Sequence, residues 1–197
     1  QSDQDGFHVS DLLSYWKFDD GSGTTAYDSK DNNNGTLING PAWTSGKINS
    51  ALTFDGVDDY VNTPLNIDQS GSSEITFMAW VYPFSNSSGR HQVISSDNGG
   101  YDWSIMREAN VWRVFDGVKM SGSGFLVSTN AWQHLAAVFV PGVGVRFYRD
   151  GNELEINEIS NDTSDSNISI GGNPIFNEYF DGQIDEVAIY NKALTKT

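Results

Sequence analysis

The chain has 197 residues, 20 glycines, no cysteine and a formal charge of −15, from 11 Lys and Arg against 26 Asp and Glu. Such a chain lacks the basic face with which a duplex binder displaces counterions, so nucleic acid is excluded as a partner and an anionic membrane surface is disfavoured. Without cysteine there is no disulfide, zinc–thiolate site or thiol nucleophile, while an aromatic content of 13% supplies a core of few, large side chains and is unlike a disordered composition.

Residues 1–11 are expected to be a leader or linker and residues 12–197 a single domain. The polar stretches at 85–90, 121–124 and 160–167 are short, and each is followed by another strand-like run. These runs are Ile75–Tyr82, Gln92–Ser96, Asp102–Arg107, Val111–Phe115, His134–Val140, Val145–Arg149, Ile168–Ile170 and Ile184–Tyr190. Between them stand Asn98-Gly99-Gly100, Asp116-Gly117, Pro141-Gly142 and Asp150-Gly151, which supply the backbone angles of tight turns. The clearest hairpin is Val145 to Leu154, with Asp150-Gly151 at its tip. The longest apolar run, Leu135–Val140, suits a buried strand and falls far short of the ~20 residues of a spanning helix. The fold class is all-β.

Several stretches in fixed order carry a family resemblance. They are Leu13-Ser-Tyr-Trp-Lys-Phe-Asp-Asp-Gly-Ser-Gly23, Asp28-Ser29, Asn34-Gly-Thr-Leu37, Gly46-Lys47 and Ala51-Leu-Thr-Phe-Asp-Gly-Val-Asp-Asp-Tyr-Val61. Phe77–Pro83, Trp132-Gln-His-Leu-Ala-Ala137, Val145–Gly151, Ile170-Gly171-Gly172, Phe180–Asn191 and Ala193-Leu194 continue the series. Together they resemble the laminin-G-like jelly-roll domains of the concanavalin A-like lectin/glucanase superfamily. The resemblance implies a two-sheet antiparallel β-sandwich, one sheet convex and one concave, with Ile184–Tyr190 pairing beside Tyr15–Asp19. It leaves function open, because the fold hosts lectins, glycosidases, lyases and adhesion modules.

Acidic residues cluster near both chain ends, and calcium takes six to eight oxygen ligands from carboxylates and carbonyls. The resemblance implies a structural calcium tying the first and last strands together on the convex side. Its ligands are expected from Asp185, from the neighbourhoods of Asp19 and Gly56, and more weakly from Asn34.

The glucanases of this superfamily carry E-x-D-x-x-E on a central concave strand, and the matching stretch here, Tyr101–Glu108, lacks it. Asp102 and Glu108 fall on one face about 20 Å apart along a strand, too far to act on one bond. His8, His91 and His134 are scattered, and His134 reads as structural; a lyase site built on Tyr101, His91 and Arg107 is the remaining catalytic option.

Three of the five arginines, Arg90, Arg107 and Arg113, fall in the segments expected to form the concave sheet. Alternation puts Trp103, Ile105, Trp112 and Val114 in the core and leaves Asp102, Ser104, Met106, Glu108, Val111, Arg113 and Phe115 outside, unless a bulge inverts the register and exposes the two tryptophans. Sugars are bound by aromatic faces and planar polar side chains, and Arg pairs bidentately with carboxylate or sulfate. Arg90, His91, Arg107, Glu108, Arg113 and Phe115 supply that inventory, although an Arg113–Glu108 pair across neighbouring strands is an ordinary alternative. The expected function is a secreted, non-catalytic, calcium-stabilised carbohydrate-binding module, monomeric within a larger multidomain protein, with an acidic polysaccharide left open as its ligand. An adhesion or protein-binding module and an atypical lyase or hydrolase are the alternatives.

Overall fold

The computed structural model describes residues 11–67, 74–96, 103–156 and 167–195. In chain order the strands are β1 (Leu12–Trp16), β2 (Thr25–Ala26), β3 (Gly35–Ile38), β4 (Ala42–Ser45), β5 (Ser50–Asp55), β6 (Tyr60–Asn66), β7 (Ile75–Pro83), β8 (Arg90–Ser95) and β9 (Trp103–Glu108). There follow β10 (Val111–Asp116), β11 (Phe125–Leu126), β12 (Gln133–Val140), β13 (Gly144–Arg149), β14 (Asn152–Ile156), β15 (Asn167–Ile170), β16 (Gly172–Asn173), β17 (Glu178–Tyr179) and β18 (Asp181–Tyr190). No helix among the described residues is long and apolar enough to cross a membrane.

Two antiparallel sheets make the sandwich. The first runs β14-β13-β12-β7-β18-β5-β4 with β1 paired to β18, and the second runs β11-β10-β9-β8-β15-β6-β3-β2. β1 sets Tyr15 opposite Ala188 and Trp16 opposite Val187, the pairing of first and last strands expected from the resemblance. The β13–β14 hairpin turns at Asp150 (φ 51°) and Gly151 (φ 76°), both left-handed as a two-residue hairpin turn requires.

The core lies between the sheets. Trp103 of β9 stacks on Phe139 of β12 with centroids 4.8 Å apart, and Trp112 of β10 stacks on Phe180 at 6.2 Å. Both tryptophans are fully buried, so the inward register holds and neither is available as a sugar platform. Alternation along β9 carries Ile105 and then Arg107 to this same inward side.

Two local devices shape the functional surfaces. A bulge in β18 between Asp185 and Ala188, with Glu186 at φ 52°, divides the strand. Its first half pairs with β5 and its second with β1, and Asp185 stands at the division, on the outer face opposite Trp80. At the end of β15, Gly171 (φ 80°) and Gly172 let the chain turn back over the second sheet. A Cβ on Gly171 would lie 2.3 Å from the Phe54 ring, and one on Gly172 would lie 2.7 Å from the Tyr179 ring. The β16–β17 hairpin therefore packs on the outside of β8, where Gln92 Nε2 donates to Glu178 Oε2 at 2.6 Å. Ser104 and Met106, expected to be exposed, are buried.

Candidate functional site

Residues facing each other across neighbouring strands share a side of the sheet. On the outer side of the second sheet, Glu108 faces Arg90 on β8 and Val111 on β10, Met106 faces Gln92 and Arg113, and Ser104 faces Ser95 and Phe115. The charged members pair with one another. Arg113 Nε lies 3.2 Å from Glu108, Arg90 Nε lies 3.9 Å from Glu108, and Arg90 Nη1 lies 3.8 Å from Glu178. Two guanidiniums and two carboxylates thus form one network whose formal charges cancel. Arg113 also donates to Ser121 O at 2.6 Å.

Arg107 does not join this surface. Its side chain is fully buried and donates to Ser87 O, Ala109 O and Ser87 Oγ at 2.8–3.0 Å, pinning the 84–89 loop. Burial pulls its pKa below the ordinary arginine value, and the Asp181 carboxylate partly restores it. The Trp103, Ile105, Arg107 alternation was the sequence signal for this placement. His91, opposite Arg107, is half-buried with Nδ1 2.7 Å from Tyr179 O and Nε2 3.1 Å from Ser87 Oγ. It braces the same loop. Phe115 is half-buried at the β10 side of the network. The expected cluster therefore separates: Arg90, Glu108, Arg113 and Phe115 share the outer face, and Arg107 and His91 hold a loop. Tyr101, Asp102 and His8 lie outside the described residues.

The same face carries a row that composition did not single out. From Phe115 it passes through Ser104, Ser95, Ser169, Asn62 and Thr36 to Thr25, one residue per strand across seven strands. Its signal was the alternation in Tyr60-Val-Asn-Thr-Pro-Leu-Asn66, where the even positions Asn62, Pro64 and Asn66 are exposed. Ser104 Oγ and Gln92 Oε1, both on this face, are buried without a hydrogen-bond partner.

On the opposite side of the molecule the residues considered for calcium divide. The 46–50 loop joins Asp19 to Asp185. Ser50 N and Asn49 Nδ2 donate to Asp19 at 3.2 and 3.0 Å, and Ile48 N donates to Asp185 Oδ2 at 3.0 Å. Lys47 sends its ammonium over the Trp80 ring, 4.5 Å from the centroid. Asp185 is fully buried, and its Oδ1 has no partner. Burial lifts its pKa to about 6, the charge of Asp19 adds to the rise, and the N–H groups of Ile48, Glu186 and Lys47 oppose it. An orphaned buried carboxylate oxygen beside a second carboxylate fits an oxygen-seeking divalent cation. Asn34 instead spends its Oδ1 on Asp28 N at 2.9 Å. Gly56 packs against Asp181, four positions and roughly 13 Å along β18 from Asp185, so neither residue joins this pair.

A second acidic group, Asp55, Asp58 and Asp59, closes the turn between β5 and β6, with oxygens within 4.8 Å of one another. Asp59 Oδ2 accepts from Asp55 N at 3.1 Å and Asp55 Oδ1 accepts from Val57 N at 2.8 Å, bonds that shape the turn.

The laminin-G profile described as the concanavalin A-like lectin/glucanases superfamily matches residues 55–197. No curated protein sequence matches. Among solved structures, domain 4 of AbnA, a GH43 extracellular arabinanase from Geobacillus stearothermophilus solved with arabinotriose, superposes with a TM-score of 0.76 at 21% identity, over 93% of this chain and 94% of that one. A Trypanosoma rangeli sialidase mutant displaying trans-sialidase activity gives 0.72 at 16% identity, over 95% of this chain and 32% of the sialidase. The binding domain of Paraclostridial Mosquitocidal Protein 1 gives 0.68 at 20% identity, over 95% and 50%. At these identities the likeness is one of fold, and the family match rests on the profile. The chain belongs to the concanavalin A-like lectin/glucanase superfamily, in its laminin-G-like form.

Proposed function

We propose that this chain is a non-catalytic glycan-binding module that holds a polysaccharide on the outer face of its second sheet. The observation that carries this reading is the cross-strand row of hydroxyl and amide side chains on this face, whose Thr25, Thr36, Asn62 and Ser169 reach solvent. Hydroxyl and amide groups donate and accept at once, as sugar hydroxyls require, and an aromatic ring meets the C–H face of a sugar. The fold likeness to a domain of an extracellular arabinanase, solved with arabinotriose, supports a sugar ligand and action outside the cell. Such a module raises the effective concentration of an attached catalytic domain at its polymer.

Calcium belongs to this reading as a structural ion held by Asp19 and Asp185, where it would neutralise two neighbouring carboxylates and tie the first and last strands together. The second reading is a protein-binding or adhesion module. It draws on the exposed Ile175 and Phe176 at the tip of the β16–β17 hairpin and on the fold shared with a toxin's binding domain. A glycan array followed by affinity electrophoresis tests the first reading: retention by at least one polysaccharide is expected, and none on any glycan would sink it.

A further inference from the structure

The β16–β17 hairpin packs on β8 and divides the outer face of the second sheet into two unlike halves. On the β9–β10 side the functional groups are charged, and their charges cancel through the ion pairs of Arg90, Glu108, Arg113 and Glu178. Beneath the hairpin Gln92 and Ser95 are buried, and so are their cross-strand neighbours Met106 and Ser104. On the other side, across β15, β6, β3 and β2, the row Ser169, Asn62, Thr36 and Thr25 is open or half-open to solvent and bears no charge. None of these four side chains holds a hydrogen bond to another described residue. Three strand spacings make the row about 14 Å long, room for a short oligosaccharide. Tyr60, half-buried on the same face, stands next to it, with its ring centroid 6.4 Å from that of Tyr179 in the hairpin.

We infer that the glycan floor is this uncharged half, Thr25, Thr36, Asn62 and Ser169 with Tyr60 as its aromatic edge, and that its ligand is a neutral polysaccharide. The inference rests on the glycan-binding reading and assigns its site and sugar class. Charge decides the class. A polyanion needs a patch of net positive charge, and on this face Glu108 and Glu178 cancel the charges of Arg90 and Arg113 while Arg107 is buried. The formal charge of −15 repels a polyanion from everywhere else. A neutral chain meets no such barrier, and the open half offers it uncharged donors and acceptors that no described residue takes up.

Affinity electrophoresis of the whole chain in gels containing arabinan, xylan, mixed-linkage glucan or polygalacturonate tests this. The expected result is retention by at least one neutral polymer, insensitive to added salt, and none by polygalacturonate. The Asn62→Ala/Thr36→Ala double variant should lose at least tenfold in affinity, while Arg113→Ala keeps its affinity. Both variants alter partly exposed side chains, and an unchanged melting temperature certifies their folding. Retention only by polygalacturonate, or affinity lost in Arg113→Ala and kept in the double variant, would overturn the assignment while leaving glycan binding standing. Retention by no polymer overturns the assignment together with the reading beneath it.

Discussion

Arg113 on β10 and Glu108 on β9 meet with a nitrogen–oxygen separation of 3.2 Å, and the same carboxylate faces Arg90 at 3.9 Å, so one glutamate is shared by two of the five arginines. Replacing Glu108 by Gln should leave the fold within about 1 kcal/mol of its stability, as for other partly exposed pairs. It should also leave Arg113 without a carboxylate and Arg90 with Glu178 alone, so that the face gains one net positive charge. The variant is expected to gain retention in a polygalacturonate gel, lost again at high salt; a variant that migrates like the parent would refute the cancelled-charge account.

Arg107→Met should behave differently, because this side chain is buried and holds three acceptors. Each acceptor left unpaired costs about 1–3 kcal/mol, so the denaturant midpoint should fall clearly. A midpoint equal to that of the parent would show that the 84–89 loop does not depend on this guanidinium.

The two sheets are joined by Phe139, which stacks on Trp103 and meets Phe77 edge-on at 5.3 Å. Phe139→Ala should cost about 3–5 kcal/mol, measured by equilibrium unfolding. A loss under 1 kcal/mol would mean that the stack contributes little to the core.

His134 lies edge-on to Trp80 at 5.2 Å, and burial lowers its pKa while Asp150 pulls the other way. Because the folded pKa lies below the unfolded one, the unfolded chain takes the proton first as pH falls. This residue's contribution is therefore complete above about pH 6.5 and is lost as pH drops through that value. His134→Gln should flatten the decline of melting temperature between pH 7.5 and 5, and parallel curves for the two proteins would count against it.

Calcium should raise the melting temperature of the chelator-treated chain, by the equivalent of about 2.7 kcal/mol at a hundredfold excess over the dissociation constant. Asp185→Asn should abolish the rise. A parent protein indifferent to both calcium and chelator would remove the ion from the reading, without touching the sugar face.

Much of the fold was legible locally. Period-two alternation marked Trp103, Ile105, Trp112 and Val114 as core, and Asp150-Gly151 marked its hairpin, because side-chain direction and turn geometry are properties of a few consecutive residues. The same alternation placed Arg107 inward, but a charged residue was read by its chemistry rather than by its position. Glu178 gave no such signal, since its place beside Arg90 depends on a strand that returns 88 residues later.

What the sequence alone determined is an acidic, cysteine-free, all-β chain with its strands in order and without the basic face that a duplex binder needs. Only the tertiary structure decided that the arginines of the second sheet are already paired or buried, that Asp19 and Asp185 are held by one loop while Asn34 and Gly56 bond or pack elsewhere, and that a short hairpin closes the middle of the outer face. The reason is range. Alternation assigns a residue to a side of its own strand, whereas solvent access and charge pairing depend on which distant segment comes to lie upon it.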